Sequence, residues 1–191
     1  MTTPSPVASP HQQFIQAVEA YAPRLYRHLL RMLDDPHDAE DALQETFLKA
    51  YRHLDSFQGR ARLSTWLYRI ATNEALMHLR RRRLTPVSLE ALGTDDAHPE
   101  EILLTHWQVL PEQALLSAET RQVLDDAVAR LSPALRAVFL LRDVEGFSTR
   151  ETAEILGIST DAVKTRLARA RLRLREALTR YFSPADEENV P

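Results

Sequence analysis

Fourteen cationic side chains, gathered in two short stretches, are the groups in this chain best suited to chemistry with a ligand. Residues 60–83 carry Arg60, Arg62, Arg69, Arg80, Arg81, Arg82 and Arg83 against one acid, Glu74, a net +6. Residues 159–182 carry Lys164, Arg166, Arg169, Arg171, Arg173, Arg175 and Arg180 against Asp161 and Glu176, a net +5. Between them, 85–120 holds seven acids and no Lys or Arg, so the overall charge of −3 conceals two basic modules. Clustered cations of this kind suit a phosphate backbone. Catalytic chemistry has much weaker support. The seven histidines include no pair at i, i+4 and no H-E-x-x-H, and most should lie on the surface. Zero cysteines exclude disulfides, thiolate nucleophiles and Cys-ligated zinc. Four scattered glycines cannot build a phosphate-cradling loop. No metal, no cofactor and no enzymatic activity are expected.

Helices must position these groups, because 3.6-residue spacing dominates and no β-alternation is sustained. The expected fold is all-α, with two small helical domains joined by an acidic flexible linker. A leader at 1–10 precedes a helical domain at 11–84, the linker at 85–117, a second domain at 118–182 and an acidic tail at 183–191. The longest apolar run, Ala137–Leu141, is too short to span a membrane. The first 23 residues lack Lys and Arg, so no signal peptide is expected. A cytoplasmic location is the resulting expectation.

In the first domain an amphipathic segment starts near His11, should be interrupted at Pro23, and resumes through Leu25, Leu29, Leu30 and Leu33. Asp34-Asp35-Pro36 ends it and opens the next helix, since Asp caps free N–H groups and Pro is tolerated in the first turn. That helix, about 37–53, should set Leu43, Phe47, Leu48 and Tyr51 along one side. A loop comes next, at 54–59. A long helix then runs from about 63 to 82 with Trp66, Leu67, Ile70, Ala71 and Leu79 as its apolar stripe. Arginines beside Phe57, Trp66 and Tyr68 suit unpaired nucleotides, and the Asn73 amide could read a base edge. For Trp66, on the stripe, the core is the favoured place.

In the second domain, a helical block beginning near Pro111 should run to about Arg130. Ser132-Pro133 should cap and open a short helix ending near Gly146. Ser148-Thr149-Arg150-Glu151 is a capping box, Gly157 ends that helix, and Ser159 caps a last helix running to about Phe182. Two helices around a short turn, the second strongly cationic, form a helix-turn-helix pattern. Val163, Leu167, Ala170 and Leu174 make one stripe at i, i+4, i+7 and i+11. Thr165, Ala168, Arg169 and Leu172 then point away from it, with Lys164 and Arg175 at its flanks. Such a helix enters the major groove, where Lys and Arg reach guanine edges. Arg171 and Arg173, further along, are placed for the DNA backbone.

Three segments together resemble the extracytoplasmic-function sigma factors of bacterial RNA polymerase: DAEDALQETF, the STWLYRIATN helix ending in RRRR, and SPALRAVFLLRDVEGFSTRETAEILGISTDAVKTRLARARLRLREAL. The resemblance covers about 11–182, with the segments in the family's order and spacing. It implies core polymerase binding, through the beta-prime clamp helices, by Asp38, Asp41, Gln44, Glu45 and Phe47. Without the resemblance, those acids read equally well as helix-start charges on a solvated face. It implies that Ser56, Phe57, Arg69 and Asn73 capture the melted minus-ten element, with a flipped base near Phe57 and Asn73. It implies that Arg142, Lys164, Thr165, Ala168 and Arg169 read the minus-thirty-five element.

Implied partners are core RNA polymerase (beta-prime and beta subunits), promoter DNA and an anti-sigma factor, with no membrane insertion. The linker either threads the polymerase channels or serves as a tether. No third domain like that of the primary sigma factors and no sensory domain after Phe182 is expected. The competing reading is an autonomous helix-turn-helix regulator that binds operators without polymerase.

Overall fold

The structure, a computed structural model, describes residues 10–54, 57, 62–83 and 118–182. The expected leader, Ser56, the acidic linker and the acidic tail lie outside these residues, apart from Pro10. Among the described residues all regular structure is helical. The chain divides into two compact units, one built on residues 1–82 with Glu154–Gly157 and the other on 83–153 and 158–191.

In the first unit, α1 (Pro10–Leu33) and α2 (Pro36–Arg52) form an antiparallel hairpin. Phe14, near the start of α1, meets Tyr51, at the end of α2, with ring centroids 5.8 Å apart. The Asp34 amide donates to the Leu30 carbonyl at 2.8 Å, and Asp34 adopts φ 57 to leave the helix. Asp35 then accepts from the His37 and Asp38 amides at 2.9 and 3.0 Å, with Pro36 in the first turn. The expected stop and start therefore hold.

The expected break at Pro23 does not. Helix α1 runs through it, with the proline exposed and Leu25, Leu29, Met32 and Leu33 buried beyond it. An interior proline costs a helix about 3 kcal/mol. Each fully buried Leu or Met side chain contributes about 1.5–3 kcal/mol, so this packing outweighs the break.

The buried side of α2 also differs from expectation. Ala39, Ala42, Thr46 and Ala50 face the core, whereas Leu48 is 42% and Tyr51 51% exposed, and Leu43 and Phe47 are half-buried. Small residues let α1 approach closely, and the Thr46 hydroxyl is satisfied by donating to the Ala42 carbonyl at 2.6 Å.

Helix α3 (Leu63–Arg83) closes the unit and buries Thr65, Leu67, Tyr68, Ala71, Thr72 and Ala75. It meets α1 through fully buried His28, whose Nε2 lies 3.0 Å from Thr72 Oγ1 and whose ring abuts Tyr68 edge-on at 5.2 Å. His28 is an exception to the expectation that most histidines lie on the surface. The Lys49 Nζ of α2 lies 2.6 Å from Glu74, whose side chain is 7% exposed.

The carboxy-terminal helices are α4 (Ala118–Ala129), α5 (Pro133–Phe139), which continues into a π-helical turn (Leu140–Val144), α6 (Thr149–Leu156) and α7 (Thr160–Phe182). The part of the expected helical block between Pro111 and Ser117 lies outside the described residues. Pro133 opens α5 as expected, but the Ser132 hydroxyl makes no capping bond. Buried Arg136 acts at the neighbouring helix end, donating to the Ala129 and Leu131 carbonyls. Those acceptors are left over where α4 stops. The capping box forms in both directions, Glu151 N to Ser148 Oγ at 3.2 Å and Ser148 N to Glu151 Oε2 at 2.9 Å. Gly157, at φ +65 with open space around it, is needed for its backbone angle rather than for close packing. The Ser159 hydroxyl accepts from the Ala162 amide at 3.1 Å. Val163, Leu167, Ala170 and Leu174 are all buried, with Leu178 extending the stripe.

Candidate docking and nucleic-acid faces

With its small-residue stripe inward, α2 turns Asp41, Gln44, Glu45 and Leu48 outward, all exposed. Spacings of three and four residues place them on one side of the helix. Asp38, expected among them, is drawn back towards α3. Arg82 Nη2 lies 3.0 Å from its Oδ2 and 3.5 Å from Asp35 Oδ2, and Nη1 donates to the Leu33 carbonyl at 3.5 Å. Arg82 thus clamps the α1–α2 turn. The Asp38 amide foremost, with the His37 amide and Arg82, holds the Asp35 carboxyl below its ordinary range.

Leu48 escapes a reading by periodicity, which assigns Leu to the core side. The signal that could have found it is the run Ala39, Ala42, Thr46, Ala50, a stripe of small residues that fits a close helix contact.

Arg62, just before α3, and Arg69, Asn73 and Arg80 on it are exposed. At 100° per residue they fall on one side, with half-buried Trp66 between Arg62 and Arg69. Phe57 stacks on Trp66, with centroids 5.0 Å apart and planes at 36°. The aromatic roles are therefore the reverse of those expected. Tyr68 is the core ring at 3% exposure, and Trp66 pairs with Phe57 beside the cationic side. Glu74, the lone acid of this stretch, faces inward to Lys49 and leaves the outer side uniformly basic. Phe57, Arg69 and Asn73 thus belong to one region of the first unit.

On α7, Lys164 is exposed, and Thr165, Ala168 and Arg169 are half-buried beside it. Lys164 Nζ pairs with Asp161 at 3.0 Å, but both side chains are largely solvated (69% and 86% exposed), so the pair contributes little to stability. Arg142 sits in the π-helical turn and donates from Nη1 to the Phe147 carbonyl. Arg173 is exposed. Arg171 grips Asp143 bidentately, Nε to Oδ2 at 2.9 Å and Nη2 to Oδ1 at 2.7 Å. That hydrogen bond foremost, with the carboxylate's charge, pushes the Arg171 guanidinium pKa up.

Among the described residues no group of three or more metal-ligating side chains could hold an ion, and no helix is long and apolar enough to cross a membrane.

Comparison with known proteins places both units. Residues 17–85 match Sigma-70 region 2, and residues 121–174 match Sigma-70, region 4. The ECF RNA polymerase sigma factor SigW of Bacillus subtilis is 36% identical over 166 residues, covering 86% of this chain and 88% of that protein. The ECF RNA polymerase sigma factor SigG of Mycobacterium tuberculosis is 37% identical over 193 residues, covering 93% of this chain. This chain spans about half (51%) of that longer relative. Among solved structures, the sigma factor RpoE of Bartonella quintana, in complex with the anti-sigma factor NepR, aligns with TM-score 0.65 and 29% identity over 87% of this chain and 97% of that one. CnrH, in complex with the cytosolic domain of CnrY, aligns with TM-score 0.61 and 26% identity over 89% of each chain.

Proposed function

Because this chain belongs to the ECF sigma factors of bacterial RNA polymerase, we propose that its two units divide promoter recognition between them. Residues 11–84 dock on core polymerase and capture the melted minus-ten element. Residues 118–182 read the minus-thirty-five element through a helix-turn-helix built on α6 and α7, and 85–117 link the two. Bond making and breaking belong to the polymerase's other subunits, so this chain supplies specificity and melting rather than catalysis. Its place of work is the cytoplasm, where core polymerase is found.

Asp41, Gln44, Glu45 and Phe47, joined by Leu48, form the docking side towards the beta-prime clamp helices, and the beta subunit is a second contact. Asp38 supports that side through Arg82. Phe57, Arg69 and Asn73 receive the single-stranded minus-ten element, where an aromatic pair beside arginines supplies stacking and charge. Arg142, Lys164, Thr165, Ala168 and Arg169 face the minus-thirty-five bases, and Arg173 lies along the backbone. Two solved relatives in this fold are complexes, one with an anti-sigma factor and one with the cytosolic domain of CnrY, which supports an anti-sigma partner here.

The observation that carries this reading is the pairing of an acidic and apolar outer side on α2 with basic sides on α3 and α7. The test is transcription of genomic DNA by core polymerase with and without the protein, mapping RNA starts. New starts sharing two spaced upstream motifs are expected. Absence of both new starts and core binding, with a footprint on duplex DNA by the free protein, would return the chain to an autonomous regulator.

A further inference from the structure

The Arg171–Asp143 fork joins the outer reaches of α7 to the π-helical turn 28 residues earlier. That turn also carries Arg142, a candidate base contact. Its backbone is wider than an α-helix: the Glu145 amide donates five residues back to Leu140 at 2.8 Å, and Phe147 six back to Leu141 at 2.9 Å. An extra residue in a turn rotates the later residues by about 100° relative to an uninterrupted helix. Arg142 is held there by the Phe147 carbonyl, while its neighbour Asp143 takes the Arg171 guanidinium.

Two parallel charge-assisted bonds fix orientation as well as distance. The fork is also better sheltered than the exposed Lys164–Asp161 pair on the same helix, with side chains 31% and 20% exposed. A shift of α7 by one residue would turn Lys164, Thr165, Ala168 and Arg169 about 100° away from Arg142.

We infer that Asp143 and Arg171 are a positioning pair that sets α7 against the π-helical turn, so that Arg142 and the α7 residues read one groove as a unit. Arg171 is then a brace rather than a phosphate ligand. The inference rests on the proposed minus-thirty-five role of this unit, and the two readings of Arg171 predict opposite signs. If Arg171 were a phosphate ligand held back by Asp143, Asp143→Ala would release a cation to the DNA, tightening binding and steepening its salt dependence. If the pair is a brace, the same variant loosens the reader and weakens binding.

Arg171→Lys separates the readings again, because a phosphate accepts lysine as a point charge whereas a bidentate fork does not.

The experiment uses full-length protein with core polymerase and the promoter fragment obtained by mapping RNA starts. Binding is titrated over a range of salt, and α7 amide exchange is followed in the free chain. Asp143→Ala and Arg171→Lys should each weaken binding about tenfold, leave the slope of log K against log salt unchanged, and speed α7 exchange. Tighter binding by Asp143→Ala with a slope steeper by about one, or unaltered binding by Arg171→Lys, overturns the inference. If the wild-type holoenzyme ignores the fragment, the promoter-reading role fails instead. The brace is then judged on α7 exchange alone: faster exchange supports it and unchanged exchange overturns it.

Discussion

Arg82, near the end of α3, lies 3.0 Å from the Asp38 carboxylate at the start of α2 and donates to the Leu33 carbonyl that ends α1. One guanidinium from a run of four arginines is thereby committed to holding three helices together. The acid it meets is one that sequence resemblance assigns to a partner's surface.

This pairing separates Asp38 from Asp41 and Glu45 in a measurable way. Asp38→Ala should lower the stability of the first unit by about 0.5–1 kcal/mol, because a partly exposed pair is worth no more. Asp41→Ala combined with Glu45→Ala should leave thermal unfolding unchanged and weaken core polymerase binding. Titration of core enzyme against each variant, beside melting curves, checks both. Unchanged core affinity in the double variant would remove these acids from the docking side.

Leu48 sits in the middle of the outward side of α2, while Ala42 sits in the middle of the inward one. Leu48→Ala should therefore cost core binding about 1 kcal/mol or more, as a buried apolar contact in the complex does, with no loss of stability. Ala42→Leu should do the reverse, destabilising the hairpin by about 1–3 kcal/mol through overpacking. Equal stability losses at both positions would contradict the orientation of α2.

Local rules in the sequence foretold the parts of this fold that depend on local chemistry. Asp35 with Pro36, the Ser148–Glu151 box, Gly157 and Ser159 each act within a few residues, so their outcome is readable from spacing. The α7 stripe is equally legible because large apolar residues recur there on one side only. Helix α2 misled because Leu48 and Tyr51 lie outside and its alanines inside, and close approach between helices is a property of the pair. Pro23 misled because the packing that overrides it comes from another helix. Burial of Tyr68 instead of Trp66 depends on His28, forty residues earlier in the chain, and no local pattern encodes that contact. The Arg171–Asp143 fork was illegible for the same reason, and a run of arginines does not show which one is internally paired.

The buried His28 gives the first unit a predictable acid sensitivity. Burial foremost, with Arg31 beside it, pushes its pKa down to about 3 from an ordinary 6.5. The unfolded chain takes up a proton across this range that the folded chain refuses, so stability falls as pH drops from about 6.5 towards 3. One proton contributes at most about 1.4 kcal/mol per pH unit. The depressed Asp35 carboxyl acts in the same direction but only below the ordinary carboxylate range. In a Trp107→Phe background, Trp66 is the one remaining tryptophan and reports this unit. Urea midpoints from its fluorescence should fall between pH 6 and 4.5. His28→Gln should flatten that dependence while lowering stability at neutral pH, and a parallel dependence in the variant would assign the sensitivity elsewhere.

Arg169 and Arg173 lie one turn apart on α7 and differ in exposure, and the proposed function gives them different work. Arg169 shares its side of the helix with Thr165 and Ala168 and is half-buried there, which suits a bidentate contact to a guanine edge. Its loss should cost about 1–3 kcal/mol on the cognate promoter and little on a promoter altered at that base. Arg173 is exposed and further from the start of the helix, which suits a phosphate. Arg173→Ala should weaken binding to every promoter variant alike and lower the salt slope by about one. Initiation assays on a set of single-base minus-thirty-five variants, repeated at two salt concentrations, distinguish these outcomes. A uniform loss for Arg169→Ala across the set would move it from base reading to the backbone.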